Sequence, residues 1–444
     1  MTRESDSQVM AIEPPPPAAL TIPSTFRAQI LPGPWRILKT EWAAADEAGF
    51  GEFIRAIAES GCTTTISCMQ SAANFYHDSD PPSFLFHADC AKWVYMLRAY
   101  YASRNGLPFS YVSRISGAGG DLRFTSTSNQ ALERSDIVDK GLGIDTLSVL
   151  QHLHDEVFSA TYRMDPMAQV PVLQDFYSPK IQRGSIRPGT AIYDITGHVM
   201  IVYEVTGDGG ILYMDAHPDE AVTRGAYGAH VPRSPMSLGG GFKNFRPLKL
   251  EGAQLLADGS YVGGYIVLAS NEAIADYSLE QYRGNAPDAK ETDPATQFRY
   301  NDVSLDLYEY TRASMSNGAF AFNPVYELKV TMNALCRDAM EGTRQAKARV
   351  KSGFATLYAD LSKNAALWMQ RDLRVVYHGY SLKKTLAEIY AAQAQACVVA
   401  DTRHGTAKSP LEQFVRRSPE TDIQRLLAQI ADYAPFAAML PVGY

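Results

Sequence analysis

SIRPGTAIYDITGHVMIVYEVTGDGGILYMDAHPD, residues Ser185 to Asp219, decides how this chain folds. Three runs inside it, AIYDI, HVMIVYEV and ILYMDAH, are short and rich in β-branched and aromatic residues, the composition of strands. The turn signals TG and TGDGG separate them, so the stretch predicts an antiparallel meander. A further strand, YVGGYIVLAS, closes the region near Ser270.

Upstream of the meander the pattern is helical. In GPWRILKTEWAAADEAGFGEFIRAIAESG, the residues Phe50, Phe53, Ile54, Ile57 and Ala58 recur at helix spacing, and Gly61 ends the run. Residues 1–33 are polar, contain PPPP at Pro14–Pro17, and read as a Pro-rich flexible tail. YRGNAPDAKETDPATQ is poor in apolar residues, so residues 276–296 read as a linker. Beyond residue 297 the Ala-, Leu- and Lys-rich stretches NPVYELKVTMNALCRD and SLKKTLAEIYAAQAQA predict a helical domain to residue 444. Helices, then strands, then helices give an α+β domain over residues 34–275 followed by an all-α C-terminal domain.

Composition excludes several classes of function. The 444 residues are 46% hydrophobic and 20% charged, as in ordinary globular proteins. The formal charge, 41 − 48 = −7, lacks the basic footprint of a nucleic-acid binder. No apolar run approaches a membrane span. The N-terminus lacks the charged start and apolar core of a secretory signal, which places the chain in the cytoplasm, or in the cell envelope if a signal has been removed. Five cysteines leave two states open. Cys62 and Cys68 are close enough for a loop disulfide, yet a set of reduced core thiols fits equally well.

One cysteine stands apart. In HADCAKWVYMLRAYYASRNG, Cys90 follows Asp89, a good N-cap type, and precedes fourteen residues without Gly or Pro. Cys90 therefore falls in the first turn of a helix, where the helix dipole favours the nucleophilic thiolate. A thiol nucleophile needs a base, and His198 opens the strand HVMIVYEV after the Thr196–Gly197 turn. The imidazole needs an orienting acceptor. Asp215 lies on the neighbouring strand near register with His198, and His217 on the same face is the alternative.

These pieces resemble papain-like cysteine hydrolases of the NlpC type, a family that cuts peptidoglycan stem peptides. DCA opening a helix, RPGTAIYDITGHVMIVYEV and ILYMDAH carry the likeness, which covers roughly residues 60–270. The resemblance implies Cys90 as nucleophile, His198 as general base and Asp215 as the third member. It also implies an oxyanion donor upstream of the cysteine, for which CMQSAANFYHDSDP offers Gln70, Asn74 and Tyr76. The chain departs from the family at Ala91–Lys92, where Ser-Gly is usual, and at Thr190, where an acidic residue is usual. The expected function is hydrolysis of an amide bond through a thioester, on a peptide-like substrate and by analogy peptidoglycan. Alternatives on the same scaffold are an acyl or amide transferase and an inactive binding domain.

Other motifs read as structural. QHLHDE, with His152 and His154, places the two histidines about 200° apart on a helix, which does not suit one metal ion, and no cofactor is expected. The glycines of GAGG (117–120) and GGG (239–241) lack phosphate-loop spacing and read as mobile loops. Arg224 and Tyr227 are either channel-lining residues or ordinary surface loop.

Overall fold

A computed structural model of the protein describes residues 33–316, apart from residues 82–83, 85, 118, 169–171, 208, 229–230, 232, 287–297, 301–302 and 306. Three helices come first: α1 (Ala44–Glu59), the short α2 (Thr65–Met69) and α3 (Cys90–Arg104). A hairpin of β1 (Phe109–Ser116) and β2 (Gln130–Ile137) and helix α4 (Thr146–Glu156) follow. The strands β3 (Phe176–Tyr177), β4 (Ala191–Tyr193), β5 (Val199–Val205), β6 (Ile211–Ala216), β7 (Val222–Ala226) and β8 (Gly241–Phe245) form the central sheet. Its order is β3-β8-β4-β5-β6-β7, antiparallel throughout. The meander expected from Ser185–Asp219 is its β4-β5-β6 portion.

The sheet is buried on both faces, and the period of two residues per strand explains how. Ala191, Tyr193, Val199, Ile201 and Met214 point into a core shared with Phe50, Phe53, Ile54 and Ile57 of α1 and with Trp93, Val94 and Leu97 of α3. Their neighbours Ile192, Met200, Val202 and Tyr213 point the opposite way, into a second core. Strands covered on both sides need continuous apolar runs, which is what HVMIVYEV is.

Helix α3 is enclosed on nearly every side. Trp93 through Arg104 are all buried, including both arginines. Arg98 is accommodated by a bidentate pair with Glu47, at 2.9 and 2.5 Å, and by lying 3.3 Å above the Trp42 ring. Burial alone would raise the Glu47 carboxyl, but Arg98 outweighs it and holds it below its ordinary value.

Three expectations are corrected. YVGGYIVLAS does not complete the central sheet; it breaks at Gly263–Gly264 into β11 (Tyr261–Val262) and β12 (Tyr265–Leu268). These pair with β10 (Gln254–Leu255) and β9 (Leu248–Glu251) in separate small sheets. The linker assigned to residues 276–296 is ordered at its start: α5 (Glu280–Arg283) buries Gln281 and Tyr282, and Gln281 accepts from the Phe242 N–H at 2.8 Å. Beyond residue 297 the first structure is a hairpin, β13 (Phe298–Tyr300) with β14 (Val303–Leu305), before α6 (Leu307–Met315). Phe298, Leu305, Tyr310 and Met315 fill the second core, so this segment covers the far face of the sheet and belongs to the α+β body. The rest of the expected helical domain, with Cys336 and Cys397, and the tail to residue 32 lie outside the described residues. No helix among the described residues is long and apolar enough to cross a membrane.

Candidate active site

Cys90 is the first residue of α3. Asp89 adopts extended backbone as N-cap, and its Oδ1 accepts from the Ala91 and Lys92 N–H groups, both at 3.1 Å. Asp89 Oδ2 also binds Lys92 Nζ at 2.5 Å. The Cys90 N–H is left with no acceptor among the described residues, a donor facing outward from the helix start. Cys90 itself is a free, half-buried thiol.

His198 stands at the mouth of β5. The turn before it is set by Asp194, whose Oδ1 accepts from the Thr196 N–H, and by Gly197 at φ +96°, a conformation other residues rarely adopt. The ring nitrogens divide their work. His198 Nε2 lies 2.7 Å from Asp215 Oδ2. A carboxylate only accepts, so this nitrogen carries the proton. The ring's other nitrogen, Nδ1, is thereby the one left for Cys90, which lies close enough to act on the charge of the ring. Burial opposes a charged imidazole here. Cys90 and Asp215 overcome that opposition and raise His198 well above its ordinary value, so the protein favours the imidazolium.

Asp215 is 2% exposed, near the end of β6, and pairs across the sheet with Thr223 on β7. Thr223 Oγ1 donates to Asp215 Oδ1 at 2.6 Å. His217 stacks on His198 with ring centroids 5.6 Å apart and its Nε2 lies 3.0 Å from Thr223 Oγ1. From Asp215 Oδ2 the same nitrogen is 3.8 Å away. Of the two residues weighed as third member, Asp215 makes the direct bond to His198.

Two of the three oxyanion candidates fall elsewhere. Asn74 is fully buried, its amide donating to the Met69 carbonyl and the Tyr100 hydroxyl. Tyr76 packs against Phe53, Tyr100 and Tyr101, and its hydroxyl accepts from Asn105. Tyr100 is ten residues along α3 from Cys90, a rise of about 15 Å, so neither side chain reaches the thiol. Gln70 is exposed at the end of α2, and no contact among the described residues ties it to Cys90. The sequence offered these residues because they precede the cysteine; the aromatic core claimed two of them.

Besides His198, two tyrosines from later in the chain lie near Cys90. Tyr162 donates to the Ala91 carbonyl at 2.8 Å, and its ring stacks on Tyr193. Burial first, then the neighbouring Cys90 and Asp89, push the Tyr162 phenol far up. Tyr193 is also raised by burial, and its hydroxyl lies beside Arg163 without a well-aligned hydrogen bond.

Around the site, Cys62 and Cys68 form a disulfide. It closes the loop that carries Thr63 and Thr64 alongside β7: Val222 N–H donates to the Thr63 carbonyl at 2.8 Å, and Thr65 N–H to the Glu220 carbonyl at 3.0 Å. Arg224 donates to the carbonyls of Ala58 and Cys62, so it clamps this loop. Tyr227 packs on Phe242 in the second core. The glycines at 239–241 are tightly packed, contrary to a mobile loop: a Cβ on Gly239 would lie 1.8 Å from the Met164 carbonyl oxygen. His152 and His154 sit on α4, and no cluster of metal-ligating side chains occurs among the described residues.

The arrangement of thiol, imidazole and carboxylate can generate a nucleophile and hold a proton ready for a leaving group. No protein-family model matches the chain, and neither a curated protein nor a solved structure shows significant similarity to it.

Proposed function

We propose that the protein is a cysteine hydrolase that cleaves an amide bond through a thioester. One observation carries the reading: Cys90, at a helix start, lies close enough to His198 to raise its proton affinity, and a nitrogen of that ring is fixed by buried Asp215 at 2.7 Å. In this reading the Cys90 sulfur attacks the carbonyl carbon, and the Cys90 N–H faces the oxygen as negative charge develops there. His198 passes its Nδ1 proton to the amide nitrogen, the C–N bond breaks and the amine leaves. Neutral His198 then takes a proton from water. The hydroxyl adds to the thioester carbon, the C–S bond breaks, and the acid departs. Asp215 keeps Nε2 protonated throughout, so Nδ1 is always the reacting nitrogen.

The substrate class follows from the resemblance to NlpC-type enzymes, so the first substrate to try is peptidoglycan stem peptide. Wild-type protein should release amine from such peptides. Cys90→Ala should abolish release while circular dichroism and melting remain those of a folded protein. Undiminished hydrolysis by Cys90→Ala would overturn the proposal.

A further inference from the structure

Asp215 is held at both oxygens, and the second holder has no place in the reaction described above. Its Oδ2 faces His198 Nε2 at 2.7 Å, and its Oδ1 accepts from Thr223 Oγ1 at 2.6 Å. The Thr223 proton is committed to the carboxylate, because an ionised carboxylate has none to give. Thr223 Oγ1 can therefore meet His217 Nε2, 3.0 Å away, only as an acceptor, so His217 Nε2 carries a proton. The result is a chain of donors with one direction: His217 to Thr223, Thr223 to Asp215, with His198 donating to the other carboxylate oxygen.

We infer that Thr223 is a positioning residue, which fixes the Asp215 carboxylate toward His198 and occupies the His217 proton that would otherwise compete for it. The competition is geometric. His217 Nε2 lies only 3.8 Å from Asp215 Oδ2, the oxygen His198 uses, and the two rings are stacked at 22°. A small turn of His217 would let it share that oxygen; the Thr223 hydroxyl gives it a nearer acceptor. Position 223 is suited to the task because it pairs directly with Asp215 across β6 and β7, where opposing side chains share a face.

The inference deepens the proposed hydrolase reading and rests on it, yet it can be read without any substrate. Around His198 the groups that titrate or carry charge are Cys90 from α3, Asp215 and His217 from β6 and the turn after it, and Asp194, whose N–H bonds the His198 carbonyl. Arg224 on β7 lies in the field of Asp215. None of these groups is itself replaced by a change at Thr223, so a shift in His198 reports the lost hydroxyl and the freedom it gives Asp215 and His217.

The test compares Thr223→Val, which keeps shape and removes the hydroxyl, with Thr223→Ser, which keeps the hydroxyl, in the full chain. Histidine NMR should show the His198 midpoint falling by about one unit in Thr223→Val, a tenfold change in proton affinity. The rate of Cys90 alkylation near neutral pH should fall with it, and Thr223→Ser should restore both. A midpoint and alkylation rate in folded Thr223→Val equal to wild type would overturn the inference. So would Thr223→Ser behaving like Thr223→Val, which would indicate a purely structural residue. If hydrolysis is absent but these shifts appear, the hydrolase reading fails and the positioning role stands.

Discussion

Removing the Asp215 carboxylate should lower the proton affinity of His198 by an amount the geometry sets. The contact is a 2.7 Å hydrogen bond between a 2%-exposed carboxylate and an imidazole favoured in its charged form. Hydrogen bonds to charged groups contribute about 1.5–3 kcal/mol, and one pH unit corresponds to about 1.4 kcal/mol. Asp215→Ala should therefore move the His198 midpoint down by about one to two units. Burial, the largest influence on this ring, already acts downward, and only Cys90 remains to oppose it in the variant. The sign for stability follows. A raised midpoint contributes stability that is fully present below the unfolded-state value and is lost as pH rises through the folded one. The stability gap between wild type and variant should accordingly narrow at alkaline pH. The assay is titration of ¹³C-labelled histidines, with His198 assigned among nine by difference against His198→Gln. Cys90 alkylation by iodoacetamide, followed on its own peptide because Cys336 and Cys397 also alkylate when reduced, should slow at least about tenfold at neutral pH. Asp215→Asn, which keeps an acceptor of similar shape, guards against collapse of the site and should shift His198 in the same direction. A His198 midpoint within about 0.3 unit of wild type in both variants would refute the reasoning.

Other parts of the molecule yield further expectations. Burial pulls the Lys243 amine down to about 7, with Asp165 opposing only in part, so between that value and 10.5 the unfolded chain holds the extra proton. Stability should rise with pH across that window, and Lys243→Met should flatten the rise and add about 1–4 kcal/mol at pH 7, as read by urea unfolding at pH 7 and 9. Gly239 has φ +60° and would place a Cβ 1.8 Å from the Met164 carbonyl oxygen. Gly239→Ala should cost about 3 kcal/mol or more, and a loss under about 1 kcal/mol in thermal melts would contradict that packing. Replacing both Cys62 and Cys68 by Ser should cost about 2 kcal/mol from the short loop alone and loosen the Arg224 clamp, which hydrogen exchange at Val222 would detect.

How far the sequence could be read depended on whether the signal was local. Asp89 before a run of helix formers is a local statement, and the cap bonds to Ala91 and Lys92 follow from it. His198 beside Asp215 was legible because a short hairpin fixes register within a couple of residues. The places of Asn74 and Tyr76 were not, because nearness in sequence to Cys90 says nothing about which side of α3 a segment packs on. Asn74 and Tyr76 were claimed by Tyr100 and Asn105, about three and four turns along from Cys90. Tyr162 and Tyr193 come near Cys90 from segments about 70 and 100 residues further along the chain, and no spacing rule predicts that. Thr223 could have been found by extending the period-two pairing one strand further. The segment 298–316 was assigned to a separate domain because its polar turns hide a few large anchors, Phe298, Leu305 and Tyr310, that only a sheet with two apolar faces requires.

The placement of Cys62 and Cys68 has a consequence for how the thiol at position 90 survives oxidation. As the chain folds, three neighbouring cysteines can pair in three ways, with separations of 6, 22 and 28 residues. Closing the larger rings costs about 1 kcal/mol more in chain entropy than closing the smallest. The native disulfide is the smallest ring, so it forms several-fold faster than either competitor. Once it closes, Cys62 and Cys68 are no longer available to pair with Cys90. A short loop placed before Cys90 thus takes up two of the thiols that could otherwise pair with it.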